Sequence, residues 1–418
     1  MAEHQDVIVV GGGIGGLTLA LELHRVGIAC QVFEAVPEVT QVGVGITILP
    51  HAARVLDALG LLDELASRCI VTTESVFYNR FGQFVYREPV GRHAGLPWPQ
   101  LSIHRADLYE TLLSSASERL GSDRIVFGAR FTGAEQTPDA ATAHFETTSG
   151  PGTPVSRFTR SGSVVVGCDG IHSILRRQLY PDEPTPAYRG YNMWRGVTRW
   201  PPFLTGSSML RVGWYTSGKL TIYPCRLADE EGRQLMNWIA AVQTPRHLER
   251  DWGQRGSLDD FVDIFEDWTF DFLDVPGVFR AAEYILEYPM VDQEPVARWS
   301  FGRLTLLGDA AHPMVPRGSN GAGQAILDCR SLATALATRP DPVAALQAYE
   351  AERLPATTRV VYRNRDNAPD AILREVCLRT GDRPFHRLDD VISEAEMQAL
   401  ADGYADASGL LSHRRVRF

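Results

Sequence analysis

Lysine is almost missing from this 418-residue chain: Lys219 is the only one, and arginine supplies the rest of its 41 basic residues. The 51 acidic residues outnumber them, giving a formal charge of −10, so the positive footprint that nucleic acid or an anionic membrane requires is absent. The one basic cluster, Arg414–Arg415–Val416–Arg417, stands at the extreme C-terminus. Closely spaced cysteine is lacking too. Cys30, Cys69, Cys168, Cys225, Cys329 and Cys377 are never nearer than 39 residues, which leaves no zinc-ligand spacing and no CxxC pair and points to reduced thiols in the cytoplasm. No apolar run is long enough for a bilayer. The most apolar N-terminal stretch, Val7 to Leu23, follows Glu3 and Asp6 and contains Glu22 and five glycines, so neither a signal peptide nor a membrane segment is expected.

What is present is an ordinary globular composition, 44% hydrophobic and 22% charged. At about 150 residues per domain the length suggests two or three domains, enough chain to enclose a small molecule. Asp6 to Val10 reads as a buried strand, Leu17 to Val26 as a helix and Ala29 to Glu34 as a second strand, a βαβ opening. Ala52 to Ala66 and Ala106 to Leu120 read as amphipathic helices, and Ser163 to Cys168 as a strand entering a glycine turn. From Tyr180 to Glu283 the texture becomes strand-like and aromatic. Arg303 to Leu307 returns to a buried strand before a helix at Ala322 to Ala337. The expected fold is α/β: a Rossmann-like nucleotide-binding domain (1–72, 101–180 and 283–341), an inserted mixed β-sheet domain (73–100 and 181–282), and a C-terminal helical segment (342–418) whose Pro342 to Arg374 stretch should pack on the outside. No internal repeat or low-complexity tract interrupts this order.

Gly11-Gly-Gly13-Ile14-Gly15-Gly16 matches GxGxxG between a strand and a helix, and Glu34, followed by Ala35, closes the next strand 18 residues later. Gly11 permits the tight turn, Gly13 lets the backbone approach a pyrophosphate, and Gly16 allows close helix–strand contact, while the helix N-terminus offers free N–H groups. Glu34 is placed to accept hydrogen bonds from ribose hydroxyls. On its own this motif does not separate NAD from FAD.

Two further segments do. Gly167-Cys168-Asp169-Gly170-Ile-His172-Ser173-Ile-Leu-Arg176 resembles the DGxxSxxR element of the FAD-dependent aromatic hydroxylases, the single-component flavoprotein monooxygenases, and Gly308-Asp309-Ala-Ala-His312-Pro-Met-Val-Pro316 is similar to their GDAAHxxxP element. The three elements stand in the family's order from residue 6 to about residue 330. Arg317-Gly-Ser-Asn320-Gly-Ala-Gly-Gln324 departs from the usual GQGxN-like sequence and, with Met193-Trp-Arg-Gly-Val197 and Tyr288-Pro-Met-Val-Asp292, resembles the branch that contains the pyocyanin-forming phenazine hydroxylase.

The resemblance implies that Asp309, after Gly308, bonds the ribityl chain of FAD and that Pro316 lies at the reactive face of the flavin. It also implies that Arg105, leading a helix, reaches the cofactor, and that Gly45, in the Gly43-Val-Gly45 loop, sits beside it. A helix beginning near Asn320-Gly321-Ala322 would stabilise the anionic edge of reduced flavin. Asp169, in the DGxxSxxR-like element, is implied as a further cofactor-binding residue and has a second reading as a helix cap, and His172 and His312 read as structural.

No second strand–GxGxxG–helix unit occurs, since Gly318 to Gly323 has the wrong order, so NAD(P)H must dock transiently as cosubstrate. The implied reaction delivers oxygen from a flavin C4a-hydroperoxide to a phenolic or fused heteroaromatic ring, with or without loss of a carboxyl group, and requires a dry pocket. Trp194, Tyr223 and Trp238 in three strand-like runs, with Asn192 and Thr221 on the same faces by period-2 alternation, are the substrate candidates, or they fill the sheet–helix core. Arg195 or Arg211 would meet a substrate carboxylate. A flavin halogenase needs a tunnel lysine and a WxWxIP element; Lys219 stands in a loop-like Ser-Gly-Lys context and WxWxIP is absent. An oxygen-independent FAD oxidoreductase and a non-catalytic flavin-bound binder of aromatic ligands remain alternatives, separated by oxygen dependence and by substrate-stimulated NAD(P)H consumption. A homodimer is compatible with the composition, but no seam for one is legible.

Overall fold

A computed structural model describes residues 7–37, 43–147, 155–244, 254–366 and 370–407; the basic cluster at 414–417 lies outside them. Val7–Val10, β-branched throughout and buried on both faces, is a central strand of a six-stranded sheet, the pattern of a parallel sheet covered on both sides. It pairs in parallel with Cys30–Phe33 on one side and Val164–Gly167 on the other, and Leu304–Leu306 continues the sheet beyond. Ile14–Arg25 and Gly321–Thr338 pack side by side over one face. A three-stranded sheet covers the other, where Phe145 stacks on Phe33.

The glycine turn is dictated by space. Gly11 has φ +100°, and a Cβ there would stand 2.5 Å from the carbonyl oxygen of Cys168; one on Gly16 would overlap the carbonyl oxygen of Gly11. Neither position admits a side chain. The helix expected over Ala52 to Ala66 is two, Pro50–Ala58 and Leu62–Arg68, because Gly60 between them adopts φ +72°.

The second sheet has eight strands, in the order Gln254–Arg255, Tyr284–Asp292, Ala187–Trp200, Gln234–Gln243, Lys219–Arg226, Ser208–Gly213, Glu74–Tyr78 and Phe84–Pro89. One pair, Ser208–Gly213 with Glu74–Tyr78, is parallel. Tyr284–Asp292 corrects an expected boundary: placed in the nucleotide-binding domain by the cut at 283, it pairs along Ala187–Trp200 as part of the large sheet. Lys219 corrects another, since it opens a buried strand rather than lying in a loop.

The faces of this sheet also differ from expectation. Trp194 and Trp238 stand with Leu220, Ile222, Met236 and Ala240 on the side away from the nucleotide-binding domain. There Trp194 stacks on Phe261 at 5.0 Å, and Trp238 meets Phe279 at 4.7 Å and donates its indole N–H to Thr198 Oγ1. Asn192 shares their parity and is buried between Tyr188 and Glu287. The alternation is as expected, and Thr221 and Tyr223 face inward as expected, but at Asn192, Trp194 and Trp238 the sign is opposite: Met193, Arg195, Ile239 and Ala241 face inward in their place. The core claims the largest rings because Phe261, Phe265, Trp268 and Phe279 wait on that side.

The C-terminal segment forms Pro342–Arg365, Ala371–Thr380 and Glu394–Ala407. It is not an outer coat, since Arg353 and Asp370 are both buried by it. Among the described residues no helix is long and apolar enough to cross a membrane. Trp194→Ala and Trp238→Ala should each lower stability by about 3–5 kcal/mol through loss of a buried ring. Thermal melts check this, and the coupling of NAD(P)H oxidation to product in the surviving folded protein should be unchanged.

Candidate active site

Two helix N-termini meet at the top of the parallel sheet. Ile14–Arg25 begins after Gly13 and Gly321–Thr338 after Asn320, and neither has a side-chain cap. Their first-turn N–H groups are therefore open to an anionic ligand. A Cβ on Gly13 would meet nothing within 4 Å, so this stretch of backbone faces open space. Gly15 is close-packed: a Cβ there would stand 3.3 Å from Leu307, and its carbonyl accepts from Cys329.

Asp309 projects into the same space. It is exposed to water there, yet surrounded deeply enough by protein that burial pushes its carboxyl up, with His312 and Arg105 pulling the other way. Its Oδ1 lies over Gly321, 3.8 Å from where a Cβ would stand. Arg105 opens the helix Arg105–Leu120 with an exposed side chain whose charge reaches Asp309. Glu34 accepts from the N–H of Gly12 at 2.7 Å and of Val36 at 2.9 Å, which locks its carboxylate at the strand end, and Ala35 beside it is exposed. Backbone open to solvent at Gly13, two helix ends without side-chain caps, an exposed carboxylate at Asp309 and an exposed arginine at Arg105 are the donor set that a dinucleotide with a flavin needs, and the residues present fit FAD.

Asp169 takes its second reading in the structure: Oδ2 accepts from Ile174 N at 2.7 Å and caps the short helix Ile174–Leu179, while Oδ1 stays buried without a partner among the described residues. Arg176, at the end of the same motif, is buried and paired with Glu183, and donates to the carbonyls of Ala310 and Ala311, both at 2.9 Å. It therefore holds the turn carrying Asp309. Gly45 opens the strand Gly45–Ile48 of a small antiparallel sheet, where it touches the eight-stranded one: a Cβ would stand 2.5 Å from Asn237, its N–H donates to Asn237 Oδ1 and its carbonyl accepts from Arg195, each at 2.7 Å. Tyr223 is buried against this junction, which pushes its hydroxyl pKa up.

Beneath the Asp309 turn runs a buried polar chain. His312 Nε2 meets Asp328 Oδ2 at 2.6 Å, Gly308 N donates to the same oxygen, and Arg353 Nε donates to Asp328 Oδ1 at 2.7 Å. Arg353 also donates to Gln324, and Gln324 donates to Asn320, the residue before the helix. Burial pushes the Asp328 carboxyl up, but the charges of His312 and Arg353 win and hold it below the ordinary aspartate range.

Pro316 lines a narrow cleft of about 30 Å³ with Met193, Thr221, Ile239, Ala241, Met290 and Tyr215, closed by the charged groups Arg211, Lys219, Arg317 and Asp370. Through Arg211, Gly318 and Ser319 it shares a wall with a cavity of about 420 Å³ between the large sheet and the last helix. Arg211 and Lys219 both pair with the Asp370 carboxylate, at 3.0 and 2.6 Å. Of the substrate candidates, Thr221 lines this cleft, Tyr223 stands on the same face, and Trp194, Trp238 and Asn192 do not. Of the two candidate arginines, Arg211 lines it, whereas Arg195 donates to the Gly45 carbonyl and lies outside the cleft's lining. Sequence reasoning gave no site role to Lys219, Arg317, Asp328, Arg353 or Asp370. The sole lysine of the chain and the departure at Arg317 were the signals that pointed there.

Asp328→Asn should cost about 3–5 kcal/mol at neutral pH by leaving Arg353 buried beside a neutral group. A carboxyl depressed in the folded state stabilises fully above its unfolded value, about 4, and loses that contribution as pH falls through its folded value. The gap in melting temperature between parent and variant should therefore be wide at pH 7 and close below about pH 4.

A family model described as an FAD binding domain matches residues 4–195 and 288–364. A phenazine 1,6-dicarboxylic acid hydroxylase of Lysobacter antibioticus is 43% identical over 370 residues, 87% of this chain and 90% of that protein. A 3-amino-4-hydroxybenzoate 2-monooxygenase of Streptomyces platensis is 34% identical over 90% of this chain and 93% of its own. Among solved structures, Klebsiella pneumoniae HpxO complexed with FAD and uric acid is similar with a TM-score of 0.75 and 25% identity, covering 98% of this chain and 97% of that one. The glycine turn, the Asp309 turn and the uncapped helix at Gly321 all fall within the matched residues, and with relatives this similar along nearly the whole length the chain belongs to the FAD-dependent aromatic hydroxylases.

Proposed function

We propose that this monooxygenase hydroxylates a fused heteroaromatic ring of the phenazine type that carries a carboxylate, using NAD(P)H and O2. The observation that carries the reading is the cationic cleft beside Pro316, which shares Arg211, Gly318 and Ser319 with a cavity of about 420 Å³, a volume suited to a small multi-ring ligand. The 43% identity to a hydroxylase of phenazine dicarboxylic acid supports the ring class.

FAD would be held at its pyrophosphate by the backbone of Gly11 and Gly13 and the first-turn N–H groups of Ile14, Gly15 and Gly16, with Glu34 and Ala35 at the ribose end. Arg105, Gly308 and Asp309 would hold the middle of the cofactor, and the N–H groups of Gly321 and Ala322 would face the flavin's anionic edge. Asp169 supports this from behind as a cap. Once bound, the cofactor supplies the transfer of electrons from NAD(P)H and the activation of O2.

The chain's own part is to orient and to dry. Pro316, Met193, Ile239, Ala241 and Met290 give the cleft an apolar wall, which keeps water from the reacting ring. Thr221 adds one hydroxyl, and the cations at the closed end set the direction in which a carboxylated ring enters.

The purified holoenzyme should oxidise NAD(P)H faster with phenazine-1-carboxylate than without it, and the product should gain one oxygen or exchange carboxylate for hydroxyl by mass. Basal oxidation with every carboxylated and hydroxylated aromatic tried would sink the reading. Gly13→Ala should melt like the parent apoprotein, because its Cβ meets no protein atom. Its affinity for FAD should nevertheless fall at least tenfold in a flavin-fluorescence titration, a drop of about 1.4 kcal/mol or more.

A further inference from the structure

Arg317 is buried to 6% exposure and lines the cleft beside Pro316. Its Nη1 donates to the carbonyls of Asn364 and Arg365 at 3.5 and 3.3 Å, and its guanidinium carbon lies 4.8 Å from the ring centre of Tyr191 and 4.7 Å from that of Tyr215. Its Nε and Nη2 are buried and have no partner among the described residues. Burying guanidinium N–H groups without an acceptor is costly, so a position like this is stable when an acceptor arrives.

Charge at the cleft points the same way. Arg211, Lys219 and Arg317 face one anion, Asp370, a surplus of two positive charges among side chains that are all largely buried. The larger cavity carries the opposite sign, with Glu88, Glu394 and Asp402 against Arg87 and the shared Arg211 on its wall. An anionic group is therefore drawn to the Pro316 end and repelled from the other. The cleft's roughly 30 Å³ has room for a group of carboxylate size and not for a ring.

We infer that Arg317 is the carboxylate anchor of this enzyme: the free Nε and Nη2 take the substrate's carboxylate oxygens, with Lys219 and Arg211 adding charge from the sheet, so that the carboxylate is held beside Pro316 at the closed end and the ring lies outside this narrow cleft. Nε and one Nη of a guanidinium form a fork that matches the two oxygens of a carboxylate. Asp370 acts as a positioning residue, keeping Arg211 and Lys219 in place without neutralising the cluster. The inference rests on the function proposed above and specifies which end of the substrate the enzyme reads.

The test is a titration of the FAD-loaded enzyme with phenazine-1-carboxylate and with unsubstituted phenazine, followed by flavin absorbance, together with NAD(P)H oxidation kinetics. Arg317→Gln should weaken the carboxylate by about ten- to a hundredfold and raise its KM, leave phenazine binding within twofold, and leave FAD affinity unchanged. Arg317→Lys should recover part of the loss, and Lys219→Met, which leaves Arg317 untouched, should give a smaller loss confined to the carboxylate. Equal loss for both ligands, no loss for either, or loss of FAD in Arg317→Gln would overturn the anchor while the proposed function stood. A parent enzyme that binds neither ring and shows no stimulated oxidation would remove both readings together.

Discussion

The Asp328 carboxylate, fully buried, joins the turn that carries Asp309 to the helix whose N-terminus faces the flavin site. Burying an ion costs several kcal/mol after relaxation, and the cost is offset here because both oxygens are used: one by His312 and the Gly308 N–H, the other by Arg353. The return is geometrical. Gly308 and His312 bracket Asp309, and Asp328 sits two turns into Gly321–Thr338, so one ion fixes the carboxylate in the cleft relative to the open N–H groups of the helix. Arg176 secures the same turn from its other side through Ala310 and Ala311, its charge answered by Glu183. Asp309 itself is left free because its neighbours carry the load.

Asp370 repeats this arrangement at the substrate end. It too is a buried carboxylate between two cations, and the charges of Lys219 and Arg211 overcome burial and hold its carboxyl below the usual range. The cations come from the large sheet and the anion from the C-terminal segment, so the cleft is finished only when the last helices dock. Ala371–Thr380 does so with Ile372, Leu373 and Val376 against Phe77, Val85 and Tyr86, and that apolar seam places Asp370 at the helix start.

Much of this was legible in the sequence where a residue's role is set by local geometry. The glycine turn follows from spacing, because the backbone at Gly11 and Gly16 admits no side chain, while the Asp309 turn and the helix at Gly321 were legible through the motif resemblance. What sequence could not supply is the sign of a pleat. Alternation separates Trp194 from Met193 and Arg195 but does not say which set looks inward; that depends on Phe261 and Phe279, which approach from a distant part of the chain. Long-range pairing hid the charged cleft in the same way. Lys219, Arg317 and Asp370 stand in three separate segments, and the last is the residue before Ala371–Thr380, inside what reads as one helical stretch from Pro342 to Arg374.

The two faces of the eight-stranded sheet therefore carry separate assignments. Odd-numbered positions such as Met193, Thr221, Ile239 and Ala241 touch the cleft, while Trp194, Leu220, Ile222 and Trp238 hold the core on the reverse side. A substitution on one set leaves the other's contacts in place. Substrate preference can drift among descendants of this chain by point changes at alternate positions, with foldability guarded by residues one step away that never meet the ligand.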